Sequence, residues 1–404
     1  MPAPAHARVD VAIFGGGIAG LWTLARLRGL GYSAVLLEAD RIGAGQSIAS
    51  QGIIHGGLKY AADFKLGAAA RALGDMPALW RQCLAGTGEI DLRRVRVLAE
   101  HHLMWLPPGL MNAATGFFAA QAIRSRTERL APADWPAVLQ GEPTVGAVYR
   151  LDEPVLDVPS LLQALALPLA GHIRRIDWPA GVAFEPAEGA RAIMRLRAPD
   201  GAAIRLEARF CLFAAGAGNE ALLARLPAPP GRGQRRPLHM LLAKGMPQPL
   251  YAHCFDASDK PRVTVTSHPG RDGGYVWYLG GQIAESGIAR DRAAQIEAGR
   301  RELAALLPRL DLTQVRWSSL AIDRAEAHHL GRRPDHPVLQ SAGPILVAWP
   351  TKLAFAPRLA AEVVQALERA GAGPSGDGGD MAALAALPEP DIALPPWEEA
   401  AAWS

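Results

Sequence analysis

A strand-like run that ends in a glycine-rich turn restricts the fold of this chain more than any other feature. Val9–Phe14 reads as a buried strand, Gly15-Gly16-Gly17-Ile18-Ala19-Gly20 follows, and a helical stretch then runs to about Leu30. Gly31 ends that helix, and Ser33–Glu38 is a second apolar strand. Together they make a βαβ unit that begins almost at the first residue. Gly15, Gly17 and Gly20 satisfy G-x-G-x-x-G inside it. The first glycine makes the tight turn, the second lets backbone approach a pyrophosphate, and the third lets helix and strand pack closely. The helix N-terminus supplies amide donors. Glu38 stands eighteen residues beyond Gly20, where a carboxylate accepts ribose hydroxyls and repels a 2′-phosphate. The unit predicts an α/β dinucleotide-binding fold.

Two further strand–glycine or strand–loop junctions follow. Phe210–Ala214 leads into Ala215-Gly216-Ala217-Gly218-Asn219, and Ile345–Trp349 leads into Pro350-Thr351-Lys352 and a helix over about 357–370. Pro357 suits a first helical turn, where its missing N–H costs nothing. A helical pattern also covers Lys59 to about Ala85, and strand-like runs such as Arg262–Thr266 and Tyr275–Leu279 fill the intervening blocks. The expected architecture is a discontinuous Rossmann-like α/β domain built from 1–85, 146–225 and 321–370. An inserted α+β substrate domain takes 86–145 and 226–320. Residues 371–380 (GAGPSGDGGD) read as a flexible linker, and the Pro/Trp-containing end as a surface-docked or disordered tail.

Composition narrows the partners. The net charge of +3 hides an asymmetry, because residues 371–404 carry six acidic side chains and no Lys or Arg. The body 1–370 therefore holds 42 basic against 33 acidic side chains, a balance of +9 that suits an anionic ligand. The arginines are scattered, so nucleic acid is not an expected partner. Three distant cysteines exclude a disulfide framework and a thiolate zinc site. His101-His102 and His328-His329 lack metal-ligand spacing, and no metal is expected. Residues 103–123 form an uncharged run of 21, but Pro107, Pro108, Gly109, Asn112 and Gln121 argue for core or lid, not a membrane span. A surface helix touching lipid is the alternative for this run. The start MPAPAHARVD has no signal-peptide pattern, so a cytoplasmic protein is expected.

Beyond the second strand, Gly43–Tyr60 sets small and polar residues against a cofactor, then a glycine pair against a flat ring. Through SQGIIHGGLKY (50–60), Ala214-Ala215-Gly216-Ala217 and Leu353-Ala354-Phe355-Ala356-Pro357, about half the chain resembles the D-amino-acid oxidase superfamily of FAD-dependent oxidoreductases. The motifs are most similar to those of glycerol-3-phosphate dehydrogenase and 2-hydroxyglutarate oxidase. The resemblance implies FAD as cofactor. It implies that Gly15, Gly17, Ile18, Ala19, Gly20, Glu38 and Ala39 hold the ADP half. Gln46, Ser47, Ser50, Gln51, Gly52, His55 and Gly56 would line the flavin, with Ala215 and Gly216 in a second turn. Val182 would give a backbone contact to adenine, and Thr351, Lys352 and Leu353 would direct amides at the ring edge. This chain departs from the family in carrying Leu24 where alanine is usual. It also has Trp349-Pro350-Thr351-Lys352 in place of a glycine-rich loop. Pro350 has no N–H to give, and Lys352 would substitute a full charge that stabilises the anionic reduced flavin.

The resemblance further implies oxidation of a carbon bearing an alcohol or amine, by hydride transfer to flavin N5. His55 is the candidate base that an alcohol substrate needs. Arg324 is the candidate anchor, since its fork matches carboxylate or phosphate. Lys59 stands where glycerol-3-phosphate dehydrogenases carry Arg, which argues mildly against that substrate. Tyr275 and Tyr278 read as sharing one strand face and lining a pocket, with core packing for at least one. The expected substrate is a small anionic hydroxy acid, amino acid or polyol phosphate, and the acceptor oxygen or a quinone. The alternative is a flavoprotein subunit that passes electrons to a protein or membrane partner, docking through 103–123 or the tail. An NAD-linked dehydrogenase explains neither the glycine-pair segment nor the discontinuous domain.

Overall fold

The structure, a computed structural model, describes residues 4–404 apart from 57–74, 110–126, 189–190, 228, 257, 259, 272, 329–333, 335, 350–351, 377–378 and 401. Lys59, Thr351, most of the helix expected over 59–85 and most of the uncharged run 103–123 thus lie outside the described residues.

The glycine-turn unit forms as its pattern dictates. Strand Ala5–Phe14 pairs in parallel with Ala34–Glu38 on one side and Ala203–Phe213 on the other. Ile345–Trp349 and Ile173–Arg175 extend this parallel core. Val338–Ala342 closes one edge antiparallel, and the hairpin of Val182–Glu188 and Arg191–Arg197 adds to the N-terminal half of Ala203–Phe213. A strand covered on both faces must be apolar at nearly every position, which Val-Asp-Val-Ala-Ile-Phe supplies. Val11 and Ile13 face the helices Ile18–Gly29 and Ala356–Arg369, while Val9, Ala12 and Phe14 face the hairpin side. Asp10 is the buried exception, and its carboxylate is fully engaged (below).

The second sheet is mostly antiparallel, in the order Arg316–Ala327, Gly233–Met246, Tyr275–Gly280, Pro261–Pro269, Ala252–Phe255, His102–Leu106, Ala147–Leu151, Thr127–Arg129. Helix Arg292–Leu306, started by the Asp291 side chain accepting from Ala294 N, covers one face through Ile296, Leu303 and Leu306. The other face looks toward the first sheet. Ala147–Leu151 and the whole of Arg316–Ala327 pair here, although the sequence assigned residues 147–151 and 321–327 to the nucleotide domain. Hydrogen-bond register decides membership, and the alternation Ala-Val-Tyr-Arg-Leu suits either sheet. Tyr275 and Tyr278 do not share a face. Three residues apart on a period-2 strand, Tyr275 packs with Trp277 on the helix side, and Tyr278 packs with Met240 and Leu242 on the other.

The described residues of 371–380 are not a flexible linker, and the end beyond them is docked on the surface, one of the two states expected. Ser375 bonds to Asp10, Asp380 pairs with Arg8 through both backbone groups, and Ile392 bridges to Ile42. Leu384, Leu387 and Ala393 are buried, and Ser404 exchanges two backbone hydrogen bonds with Trp317 on the edge strand of the second sheet. Glu389, Glu398 and Glu399 pair with Arg174, Arg271 and Arg41. The acidic end therefore neutralises arginines on both sheets and straps across them. Trp397 stacks on buried His268 at 3.7 Å, and burial pushes that imidazole down to about 3. Trp397→Ala is expected to cost about 2 kcal/mol at neutral pH, below the range for a fully buried tryptophan because the indole is half-exposed. His268 stays neutral in the folded chain while the unfolded chain protonates near 6.5, so wild-type stability falls with acid. Water reaching His268 in the variant relaxes that loss. The stability gap between variant and wild type should therefore narrow from pH 7 to pH 4 in thermal melts.

Candidate active site

The glycine turn is built by close backbone approach. Gly15 has φ +108°, and a Cβ there would lie 2.5 Å from Ala215 Cα and 2.7 Å from Ala214 O. A Cβ on Gly20 would collide with the Gly15 carbonyl, which is the tight helix–turn packing that the third motif position requires. Ser47 Oγ accepts from Ile18 N at 2.9 Å and so caps the helix that begins there. The Glu38 carboxylate accepts from Gly16 N, and its other oxygen takes Ala39 N and Asp40 N at 2.8 and 2.9 Å. Glu38 thus organises the turn as well as facing the cavity.

That cavity, of about 240 Å³, is lined by Gly15, Gly17, Ile18, Ala19, Glu38, Ala39, Gln46, Ser47, Ala215 and Gly216 among others. A second cavity of about 280 Å³ lies between the two sheets and shares Ile18, Gln46 and Ser47 with the first. Its walls hold Ser50, Gln51, Gly52, His55, Arg324, Lys352 and Leu353. Three segments far apart in sequence therefore bring His55, Arg324 and Lys352 onto one space, as their candidate roles require. Gln51 holds the two sheets in register, with Nε2 donating to Thr264 O at 3.2 Å and Tyr278 O at 2.9 Å. The Tyr278 hydroxyl donates to Ala49 O at 2.9 Å, so this tyrosine is a buried brace and does not line the cavity. Arg324 Nε donates to Arg236 O at 3.4 Å. Val182 packs in the core beside Leu196 and is not among the described residues lining either cavity, whereas Ile176 and Trp178 stand on the adjacent wall.

Several lining groups escape sequence reasoning. Glu153 and His253 are buried, Thr264 is buried, and Glu285 pairs with Lys260 at 2.8 Å; all four line the larger cavity. No motif surrounds them, because cross-strand register places them and local spacing does not. His55 Nδ1 lies 3.3 Å from Glu153 Oε2. Gly56 is not a lining residue here, but its N–H donates to Glu153 Oε1 at 2.7 Å. Where no metal was expected, His55, Glu153 and His253 place ligand atoms within 4.8 Å of one another. Two of the three make other hydrogen bonds: Gly56 N donates to Glu153 Oε1, and Thr264 Oγ1 lies 2.8 Å from His253 Nδ1.

A long two-part cleft suits an extended cofactor with a phosphate-rich half and a flat half. The glycine cradle fits the pyrophosphate, and Ser50 Oγ, buried in the cleft wall without a partner among the described residues, is left for a ligand polar atom. The fold and cleft define a flavin-dependent oxidoreductase of the Rossmann type. The family model for DAO, FAD dependent oxidoreductase, matches residues 10–348, and the chain belongs to that family, with FAD as its cofactor.

Over 400 residues the chain is 50% identical to the probable FAD-dependent oxidoreductase PA4991 of Pseudomonas aeruginosa, covering 98% of this chain and 99% of that one. The crystal structure of the FAD dependent oxidoreductase PA4991 superposes with a TM-score of 0.82, at 44% identity over 98% of this chain and 99% of that one. Glycine oxidase from Geobacillus kaustophilus (TM-score 0.62, 18% identity, 90% of this chain and 95% of that one) shares the fold. So does the FAD-bound L-α-glycerophosphate oxidase of Mycoplasma pneumoniae (TM-score 0.63, 14% identity, 89% and 95%). Among the described residues no helix is long and apolar enough to cross a membrane.

Proposed function

We propose that this FAD-dependent oxidoreductase oxidises a CH–OH or CH–NH carbon of a small anionic substrate. The observation that carries the reading is the shared cavity of His55, Arg324 and Lys352, which has Ile18, Gln46 and Ser47 in common with the glycine-turn cavity. FAD is assigned to the cleft along the first sheet and the substrate to the space against the second sheet. Bound FAD supplies the two-electron acceptor, with its ring N5 assigned as the atom that receives hydride. Arg324 binds the substrate carboxylate or phosphate, and Lys352 adds positive charge to the same cavity. His55 takes the proton of an alcohol or substrate ammonium. Hydroxy acids, amino acids and polyol phosphates are the candidates. The names of the fold relatives, which include oxidases of glycine and of glycerophosphate, keep all three classes in view. Oxygen or a quinone would reoxidise the protein.

Anaerobic bleaching of the bound flavin by a panel of these compounds tests the reading, and no bleaching by any of them would sink it. With a bleaching alcohol in hand, His55→Ala is expected to slow the reaction about 100-fold or more. Arg324→Leu is expected to raise the half-saturating concentration about 10- to 100-fold with a smaller change in limiting rate. An unchanged concentration dependence in Arg324→Leu would remove it as the anchor.

A further inference from the structure

His55 and Glu153 are 98 residues apart, yet the backbone fixes them as a pair. Ile53 and Val155 form an antiparallel bridge, Leu156 N donates to Gly52 O, and Ile54 N donates to Pro154 O, both at 2.9 Å. Two residues further along the same register, His55 stands opposite Glu153. Gly52 permits this approach: it has φ +70°, and a Cβ would collide with the Leu156 carbonyl. His102 N donates to the Glu153 carbonyl at 2.8 Å, so the acid is held from its backbone as well. Its side chain is 6% exposed against 33% for His55, which puts the carboxylate behind the ring and the imidazole toward the cavity.

We propose that Glu153 is the positioning residue for His55, accepting the Nδ1 proton and so making Nε2 the nitrogen that takes a proton from the substrate. This rests on the reading of His55 as base. The proton leaves a substrate hydroxyl or ammonium for Nε2, and the two electrons of the oxidised carbon go to the FAD of this family. Glu153 then faces an imidazolium, whose charge it balances. Burial alone would raise the Glu153 carboxyl. The His55 hydrogen bond and charge and the Gly56 N–H outweigh it and hold the group below the usual range, as an anion. The neighbours of His55 do not supply that counter-charge. His253 stacks on it at 5.9 Å with the rings 12° from parallel. His102, 4.2 Å from His253, is pushed down to about 4 by burial and is neutral. Arg324 and Lys352 on the other walls are cations, Glu285 is tied to Lys260, and Asp152 is paired with Arg81 at 2.7 Å. Among the described residues, Glu153 is an anion in hydrogen-bonding distance of the ring.

The test uses FAD-loaded protein labelled with ¹⁵N-histidine, with the His55 signals assigned by His55→Ala. Long-range proton–nitrogen spectra read which ring nitrogen is protonated and where the ring titrates. In the wild type, His55 is expected as the Nδ1–H tautomer at neutral pH. In Glu153→Gln its titration midpoint should fall by about one pH unit or more and the tautomer preference should weaken. Glu153→Asp keeps the charge on a shorter stem and should move the midpoint less in the same direction, which serves if the glutamine variant fails to fold. An unchanged tautomer and midpoint in a folded variant overturns the proposal. So does about one equivalent of zinc or another divalent metal in the purified holoprotein, since Nδ1 would then be a ligand. Full bleaching by an alcohol in His55→Ala would remove the base while leaving the spectra intact, so the two ideas fail separately.

Discussion

Gly15→Ala is expected to yield protein that purifies without its yellow colour. Position 15 combines two obstacles to a side chain, a φ of +108° and an approach of 2.5 Å to the Ala215 backbone. The left-handed conformation costs a residue with a Cβ about 1–2 kcal/mol. Forcing a methyl against backbone costs about another 1–3 kcal/mol, because neither wall is the end of a flexible side chain. The strain is relieved only if the turn parts from Ala214-Ala215-Gly216, and both sides of that gap line the cofactor cavity. FAD affinity should fall by about two orders of magnitude or more, and the melting temperature should drop further through loss of bound ligand. The check is flavin absorbance relative to protein absorbance after desalting, with a thermal melt. Gly29→Ala is the control: it lies in the helix Ile18–Gly29 with open space around a Cβ, and it should keep FAD and melt slightly higher. Equal flavin content in the two variants would refute the steric account.

Asp10→Ala is expected to be the most destabilising change away from the cleft. Its carboxylate, 2% exposed by residue, accepts from Ser33 N and Oγ at 3.0 and 3.1 Å, from Arg209 at 3.0 Å, and from Ser375 N and Oγ at 3.2 Å each. Three segments of the chain meet on one side chain, so its removal leaves a half-buried guanidinium and several donors without their acceptor. Losing one partner of such a pair costs about 3–5 kcal/mol. Burial would raise the Asp10 carboxyl, but the Ser33 N–H, Arg209 and Ser375 together hold it below its usual 3.8. A depressed carboxylate stabilises the fold fully above 3.8, and that contribution is lost as pH falls through the lower folded value. The deficit of Asp10→Ala relative to wild type should thus be large at pH 7 and shrink below pH 4. Denaturant midpoints across that range would show it, and a deficit independent of pH would contradict the assignment. The variant should also loosen the C-terminal segment, seen as faster proteolysis near Ser375.

How far the sequence carried the account depends on how local each determinant is. The strand–turn–helix at Val9–Leu30 and the acid at Glu38 were legible because the glycines, the apolar run and the Glu38 carboxylate act within about thirty residues. Gly52 and His55 were legible through resemblance to a family segment. Nothing near Gly52 along the chain signals why a glycine is needed, since its crowding comes from Leu156. Residues 147–151 and 321–327 were placed with the wrong sheet because short alternating strands carry no label for their partner, and Tyr275 and Tyr278 were given one face although a spacing of three puts them on opposite faces. The flexible-linker reading of residues 371–380 failed for another reason, while the end beyond them is docked, one of its two expected states. Gly, Ser and Asp are common in linkers, but they also let a chain lie flat against a surface that offers Asp10, Arg8 and Ile42 as partners.

By itself, then, the sequence determined the nucleotide-binding unit, the FAD requirement through its motifs, and the three candidate groups His55, Arg324 and Lys352. The tertiary structure alone decided that those groups share one cavity and that Glu153 stands behind His55. It also decided that an acidic end straps both sheets. The physical reason is contact order. A glycine turn is specified by steric limits on adjacent residues, whereas a pair such as His55 and Glu153 exists only after register has closed a long loop.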